Sequence, residues 1–375
     1  MKILIVIDVL NGHNGSFKIM RNIAYGLLKH NDVKIIFFGK SKDYENVLTL
    51  LKDFNYTIIS NKVLNKFENM IKGIVIKNHE NIKLDDIPLF TIQFSMLRYL
   101  KKIDFKPDLI IFSNYFASLS LLINNKINSI VLLHEAPLFD DFNFLIRRFM
   151  HMYLNAISKK TTFLSISQDI GKKTMDNFNF KVITKPPLGF IDYDIKDKER
   201  FILLDTRWTE DRDPLFVLKI GKKINNIKII MHGIFTNDKI KEKLIKEITL
   251  KDYNIQLISN DSDEDLQYLY QKALVVIRWS AFHESGNPLS IFNAISFNCI
   301  PVIDKSLGPS SFISENISSD LVVNRDEDEI AVVVKKIFDD QDYYNSLLSK
   351  VIKCKKKFSW ENYSEGLIND ILASR

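Results

Sequence analysis

Short apolar runs alternate with longer amphipathic segments along the whole chain, and this alternation constrains the fold more than any single motif. Five runs in the first half are continuously apolar, as strands are when helices cover both faces of a sheet. They span residues 2–9, 33–39, 108–114, 129–135 and 162–167. A second series of five spans residues 201–208, 227–233, 255–259, 273–279 and 300–303. Strands that alternate with crossover helices are typical of parallel sheets. The sequence therefore predicts an α/β protein with two Rossmann-like domains.

The boundary between the two domains is predicted from a proline pair and a charged segment. A chain of 375 residues is longer than one compact core usually supports, so two domains are expected. Pro186 and Pro187 stop a helix, and the charged residues from there to Arg200 favour water. We therefore expect the hinge between these positions.

The compartment is predicted from the N-terminus and the cysteines. The opening run MKILIVIDVL is interrupted by Asp8, no small-residue cleavage site follows it, and we interpret it as a first buried strand and not a signal peptide. No run of about 18 apolar residues offers a membrane span. Cys299 and Cys354 are too few for a disulfide scaffold and lack the spacing of a metal site. A cytoplasmic protein is the expectation.

Charge is distributed unevenly between the two halves. Residues 1–190 carry 26 Lys and Arg against 16 Asp and Glu, whereas the remainder carries 26 against 30. A basic first half could face nucleic acid, an anionic membrane surface or a phosphorylated ligand. No zinc finger, basic zipper or aromatic RNA-binding signature accompanies the charge, so nucleic acid is not favoured.

Two segments of the first half follow predicted strands, where ligands bind in open parallel sheets. Gly12 and Gly15 in NGHNGSFK could let the backbone approach a ligand, although a plain turn explains them equally well. His134 follows the fourth strand, where a lone histidine is more often structural than catalytic.

The first strand of the second half ends in DTRWTEDRDP, which carries Arg207 and Arg212 five residues apart. Two guanidinium groups converging from a strand end and a helix start suit a diphosphate, because each can make bidentate, charge-assisted hydrogen bonds. The three neighbouring acids, Glu210, Asp211 and Asp213, leave a solvated charged loop as the alternative.

The segment FHESGNPLSIFNAISFNCIPVI, residues 282–303, places Glu284 and Gly286 just ahead of a predicted helix and a buried strand. Unpaired N–H groups and the helix dipole favour an anion at such a helix start. A loop with a chance acid is the competing interpretation.

Taken in order, these segments give the chain a resemblance to retaining GT-B glycosyltransferases of family 4 over nearly its whole length. The ordered set comprises KPDLII with the following HE, SIS before a helix, TRWTEDR, DLQYLYQKALVVIRWS, the 282–303 segment and KKFSWENYSEGL. The resemblance implies two Rossmann-like domains facing across a cleft. It implies an acceptor-binding domain at 1–188, a nucleotide-sugar domain at 200–355, and a C-terminal helix at 356–375 that crosses back to the first domain.

The resemblance also assigns site residues. Catalytic roles are implied for His134, Arg207, Arg212 and Glu284. Contacts to the nucleotide sugar are implied for Gly15, Arg207, Arg212, Ile258, Gly286, Asn287, Pro288, Leu289, Ser290 and Asn293.

This sequence departs from the family pattern at the two acidic positions. The family has two glutamates with seven residues between them, the first near the donor sugar and the second on the nucleotide ribose. Here Ser285 and Asn293 align with them, and Glu284 lies one residue before the first position. Asn293 can still hydrogen-bond ribose hydroxyls, but a neutral amide is a weaker acceptor than a carboxylate.

The implied activity is transfer of a sugar from a nucleoside-diphosphate sugar to a glycan or lipid-linked acceptor, in surface polysaccharide synthesis of the bacterial type. The two arginines and the helix start can stabilise the departing diphosphate, so we expect no metal and no cofactor besides the donor substrate. Segments 94–103 and 142–160 mix aromatic, aliphatic and basic residues, which fits either contact with an anionic membrane or helices that cover the sheet. The alternative function is a non-catalytic GT-B partner that stabilises or steers an active glycosyltransferase.

Overall fold

The computed structural model describes residues 1–7, 15–38, 54–59, 104–115, 118, 127–134, 136–137, 144–166, 168–185, 189–193, 195, 197–259, 263–279 and 288–373. The chain divides into two compact units. One unit comprises Met1–Pro187 together with Trp360–Arg375, and the other comprises Leu188–Ser359.

Strands and helices are numbered here along the chain. The strands are β1 Lys2–Ile7, β2 Asp32–Phe38, β3 Asn55–Ile59, β4 Leu109–Phe112, β5 Asn128–Leu133, β6 Thr161–Ser165, β7 Val182–Thr184, β8 Glu199–Asp205, β9 Lys228–His232, β10 Ile255–Ile258, β11 Ala273–Arg278, β12 Ile300–Asp304 and β13 Val322–Val323. The α-helices are α1 Gly15–Leu28, α2 Phe144–Ile157, α3 Gln168–Asn177, α4 Phe216–Lys223, α5 Asp238–Lys251, α6 Asp263–Lys272, α7 Leu289–Ser296, α8 Ser310–Asn316, α9 Glu327–Asp339, α10 Gln341–Lys357 and α11 Trp360–Ala373.

The first unit contains a parallel sheet in the order β3-β2-β1-β4-β5-β6-β7. Its central strands are apolar throughout because both faces are covered: five of the six residues of β1 and all four of β4 are buried. Helix α2 covers one face through Met150, Tyr153 and Leu154, which belong to the same core as Leu4 of β1.

Helix α11 closes the first unit by packing on α1. A Cβ added to Gly26 of α1 would lie 2.3 Å from the Trp360 carbonyl oxygen, so glycine permits the close approach of the two helices. The hydroxyl of Ser364 donates to the carbonyl of Ile23 at 3.2 Å, and Lys29 pairs with Glu361 at 2.6 Å. The C-terminal helix therefore belongs to the same compact unit as the N-terminal sheet.

The second unit contains a parallel sheet in the order β10-β9-β8-β11-β12-β13. All six residues of β11 and all five of β12 are buried. Helix α7 packs six of its eight residues into this core, including Ile291, Phe292 and Ile295. Because the strands are parallel, their carboxyl ends lie at one edge of the sheet, and the loops that carry most of the candidate residues leave from that edge.

All ten predicted strands are present, and the predicted parallel-sheet α/β architecture of both halves is confirmed. Three short strands, β3, β7 and β13, were not predicted, and all three lie at sheet edges. Among the described residues, no helix is long and apolar enough to cross a membrane.

Candidate functional site

The turn that follows β8 is closed by the side chain of Arg212. One guanidinium nitrogen, Nη1, donates to the hydroxyl of Thr206 at 2.6 Å and to the carbonyl of Arg207 at 2.8 Å. Residues Glu210–Arg212 form a single 3₁₀ turn that ends at Asp213 in the left-handed conformation, with φ 44°. The side chain of Arg207 is exposed, whereas Arg212 is half-buried. Both guanidinium groups predicted to bind a diphosphate thus start from one short, hydrogen-bonded turn.

Two acids of this turn have partners other than the two arginines' guanidinium groups. Asp213 pairs with Arg325 at 2.7 Å. The pKa of Asp211 is lowered, chiefly because Thr209 hydrogen-bonds its carboxylate, with a smaller contribution from the charge of Arg212. Asp213 and Asp211 thus both have specific partners, which weakens the alternative of a solvated charged loop.

Two buried tryptophans, Trp208 and Trp279, stabilise the same turn through hydrogen bonds from their indole N–H groups. The indole of Trp208 donates to the carbonyl of His232 at 3.0 Å, and that of Trp279 donates to the carbonyl of Arg212 at 2.7 Å. Gly233 has a φ of 122°, and a Cβ there would lie 2.0 Å from the carbonyl oxygen of Thr206. Only glycine allows the ends of β8 and β9 to approach this closely. The turn is therefore tied to the sheet from two sides.

At the start of α7, the first backbone N–H groups donate no hydrogen bond to the side chain of the N-cap residue. Pro288 is the N-cap residue, in an extended conformation, and makes no side-chain capping hydrogen bond. The Ser290 hydroxyl oxygen is buried and has no hydrogen-bond partner among the described residues. An anion at this end could accept from the first N–H groups and from that hydroxyl.

At the opposite end of α7, two lysines from other parts of the second unit bind backbone carbonyls. Lys198 donates to the carbonyls of Phe297 and Tyr270 at 2.6 and 2.9 Å. Lys355, only 2% exposed, donates to Asn298 Oδ1 at 2.8 Å and to the carbonyl of Ser296 at 3.4 Å. Cations at a helix C-terminus complement its dipole.

A hydrogen-bonded network that sequence reasoning missed joins β8, α6 and α7. The hydroxyl of Tyr270 donates to Asp205 Oδ2 at 2.8 Å, and the side chain of Asn293 hydrogen-bonds the same hydroxyl. His232 Nδ1 lies 3.3 Å from Asp205 Oδ1. Burial, followed by the neighbouring Asp205 charge, raises the pKa of Tyr270 well above its usual value, so the hydroxyl stays protonated. We name Asp205, His232, Tyr270 and Asn293 the Tyr270 network.

His134 lies in the first unit, directly after β5. Its Nε2 is buried without a hydrogen-bond partner among the described residues, and burial lowers its pKa to about 4. The imidazole is therefore neutral at pH 7 and still has a ring nitrogen that lacks a partner.

The remaining predicted residues lie as follows. Gly15 is the first residue of α1, and Ile258 is the last residue of β10, where its carbonyl accepts the Gly233 amide at 3.1 Å. Leu289 is the first residue of α7. The four residues Glu284, Ser285, Gly286 and Asn287 lie outside the described residues, so the role of Glu284 at the family's first acidic position stays a prediction.

One cluster in the described part of the chain could hold a metal ion, and it lies in the first unit. His30 Nε2 is 3.5 Å from Glu361 Oε1 and 3.2 Å from Glu365 Oε1. The ammonium of Lys29 lies 2.6 Å from the same Glu361 oxygen. These contacts join α11 to the two residues that follow α1, and none of the residues belongs to the strand ends of the second unit.

Most of the second unit matches a known protein family. Residues 191–354 match the model of the family described as glycosyl transferases group 1. No curated protein matches the sequence. Similar solved structures include a glycosyltransferase from Rickettsia africae, with 14% identity and a TM-score of 0.67 over 99% of this chain and 97% of that one.

Two further structures cover the same length. S. aureus TarM has 14% identity and a TM-score of 0.66 over 99% of each chain. The UDP-GlcNAc 2-epimerase from Neisseria meningitidis has 15% identity and a TM-score of 0.59 over 100% of each chain. At these identities the likeness shows the fold, which is GT-B. Because an epimerase shares it, the fold alone does not specify sugar transfer.

Proposed function

We propose that this protein is a glycosyltransferase that takes a sugar from a nucleoside-diphosphate sugar and transfers it, with retention of configuration, to a glycan or lipid-linked acceptor. The observation that carries the proposal is the presence, within the segment that matches the family model, of both the Arg212-closed turn and the uncapped start of α7. TarM in its solved complex holds UDP and a sugar-bearing glycerol, which supports a uridine nucleotide as the first donor to test.

The chemistry assigned to these residues is stabilisation of a leaving group. When the bond between the sugar and the diphosphate breaks, negative charge grows on the phosphate oxygens. Arg207, Arg212 and the N–H groups at the start of α7 are donors that such oxygens can accept from, and Arg212 is held in place by its turn. The acceptor hydroxyl forms the new bond to the sugar, and its proton passes to the departing phosphate.

A donor screen with product analysis tests the proposal. Nucleotide sugars are screened first by thermal stabilisation, because a ligand that binds the folded state raises its melting temperature. The donor that stabilises the protein is then incubated with glycan and lipid-linked acceptors. A glycosylated acceptor supports the proposal, whereas an epimerised sugar with no free nucleoside diphosphate contradicts it.

One observation favours a second candidate, a non-catalytic GT-B partner of an active glycosyltransferase. Asn293 is neutral where the resemblance implies a glutamate, and its side chain hydrogen-bonds Tyr270. A partner of this kind turns over no donor sugar and raises the activity or stability of a second enzyme. Turnover by the isolated chain eliminates this candidate.

We further propose that the first unit contacts an anionic membrane at the cytoplasmic face, where a lipid-linked acceptor for surface polysaccharide would be presented. Helix α2 leaves Phe144, Phe149 and Met152 exposed by 69%, 52% and 66%, beside the exposed Arg147 and Arg148. Apolar side chains with flanking arginines are the composition of helices that lie in a membrane interface. The second predicted segment, residues 94–103, lies outside the described residues.

Flotation with liposomes tests the membrane contact. We expect the wild type to float with phosphatidylglycerol vesicles and not with neutral ones. Combined Arg147→Gln and Arg148→Gln substitutions should abolish flotation at about 0.15 M salt, because each arginine contributes about 1 kcal/mol near an anionic surface. The matched control is Lys172→Gln with Lys173→Gln on α3, which removes two charges from another exposed helix. Equal flotation with neutral vesicles would contradict the proposal.

A further inference from the structure

The Tyr270 network has a fixed direction of hydrogen bonding. The single hydroxyl proton of Tyr270 goes to Asp205 Oδ2 at 2.8 Å, since a carboxylate is a stronger acceptor than the Ser290 carbonyl at 3.3 Å. The hydroxyl oxygen is then an acceptor, and the amide of Asn293 donates to it. The order is therefore amide to hydroxyl to carboxylate, from α7 through α6 to the end of β8.

This direction determines which atoms remain for a ligand. Asn293 directs one N–H toward Tyr270, which leaves its second N–H and its carbonyl oxygen. Asp205 accepts from Tyr270 and contacts His232, but a carboxylate has about four lone-pair sites and can accept further bonds. The Asp205 side chain is 16% exposed, at the carboxyl end of β8 where open parallel sheets bind ligands.

We propose that Asp205 supplies the carboxylate that this site lacks at position 293, and that Asp205 and Asn293, aligned by Tyr270, together hold the ribose hydroxyls of the donor nucleotide. This inference rests on the proposed function and names further binding and positioning residues for it. A ribose presents two adjacent hydroxyl groups, each both donor and acceptor, and a neighbouring carboxylate and amide are complementary to such a pair.

The network also explains why residue 293 is not a glutamate in this chain. A carboxylate on α7 would compete with Asp205 for the one proton of Tyr270. It would also place two negative charges on either side of one buried hydroxyl, where like charges repel strongly. The residues at positions 205 and 293 therefore depend on each other. A carboxylate at position 293 is compatible with the network only if the carboxylate at position 205 is replaced by an amide.

Exchange of the two residues tests this dependence. The variants are Asp205→Asn, Asn293→Glu and the double variant, which reverses the network without changing its charge. The probes are UDP and its 2′,3′-dideoxy analogue, with binding measured by calorimetry. The dideoxy analogue lacks both hydroxyls but keeps the base and diphosphate, so it reports the integrity of the rest of the site.

We expect the wild type to prefer UDP over the dideoxy analogue by tenfold or more, since hydrogen bonds to charged groups are individually strong. Asp205→Asn should reduce that preference to about twofold or less while leaving affinity for the dideoxy analogue unchanged. Asn293→Glu alone should also weaken UDP. The double variant should recover UDP affinity to within about threefold of the wild type.

The possible failures are distinguishable. If the wild type binds UDP but Asp205→Asn keeps the full preference for it, or Asn293→Glu alone strengthens UDP binding, the network inference is wrong and the proposed function stands. If the wild type binds neither UDP nor GDP nor ADP, the nucleotide function and the inference fall together. Tyr270→Phe separates alignment from folding: it should lower the preference for UDP while the variant still binds the dideoxy analogue.

Discussion

Arg212 and Arg207 are predicted to differ in what they contribute, although both are assigned to the diphosphate. Arg212 makes two hydrogen bonds within its turn, at 2.6 and 2.8 Å, and is half-buried. Hydrogen bonds to charged groups contribute about 1.5–3 kcal/mol each. For a half-buried group in a surface turn we take the low end for each of the two bonds, so Arg212→Ala should lower the free energy of unfolding by about 3 kcal/mol.

Arg207→Ala should leave folding almost unchanged, because its side chain is exposed and surface substitutions usually stay within about 0.5 kcal/mol. Both variants should lose affinity for a nucleoside diphosphate. One charge-assisted hydrogen bond to phosphate corresponds to a loss of about tenfold to 150-fold. The expected pattern is weakened binding in both variants, with a loss of stability in Arg212→Ala alone.

Urea denaturation measures the free energy of unfolding, and calorimetry measures nucleoside diphosphate affinity. The matched control is Lys222→Ala, which removes one positive charge from an exposed position on α4 in the same unit. It should change neither quantity. Unchanged stability in Arg212→Ala would refute the role of its hydrogen bonds in closing the turn. Unchanged affinity in both arginine variants would refute the diphosphate assignment.

Two further predictions concern the first unit. Gly26→Ala should destabilise the protein by about 1–3 kcal/mol in urea denaturation, because the new methyl group would meet the Trp360 backbone; Gly366→Ala, whose methyl group would meet only the flexible Lys185 ammonium at 3.3 Å, is the control and should be nearly neutral. His134 has a pKa of about 4 in the folded state, which is below its value in the unfolded state. As the pH falls from about 6.5 to 4, the unfolded state therefore binds more protons than the folded state. The wild type should therefore lose about 3 kcal/mol of stability over that interval relative to His134→Gln, and parallel pH profiles for the two would contradict the buried neutral imidazole.

The sequence predicted the central strands and one edge strand, β10, and missed the other three edge strands for a physical reason. Central strands of a parallel sheet are covered on both faces, so they appear as continuous apolar runs, as in β1, β4 and β11. The missed strands β7 and β13 have three and two residues and lie at the edges of their sheets. The third missed strand, β3, is also an edge strand, and none of its residues Asn55, Tyr56 and Thr57 is buried. Too few residues are buried in such strands for an apolar pattern to emerge.

The Tyr270 network could not be predicted from the sequence because no pattern signals the direction of a hydroxyl. Tyr270 is a buried aromatic residue on a helix, which a sequence indicates as core. Its partner Asp205 is 65 positions away in the chain. Their contact depends on how α6 packs over the sheet. By contrast, Arg207 and Arg212 lie in one short segment, so their spacing alone was sufficient to group them.

The two ends of α7 link ligand binding to the stability of the second unit. An eight-residue helix is too short to be stable alone, so it depends on packing and on partners for its end groups. Lys198 and Lys355 supply partners at its C-terminus, whereas the buried Ser290 hydroxyl at the other end has none among the described residues. A phosphate bound there would satisfy that hydroxyl and complement the dipole that the two lysines already favour. Nucleotide binding should therefore order α7 itself, and amide hydrogen exchange in Leu289–Ser296 should slow on binding more than exchange in α9 of the same unit.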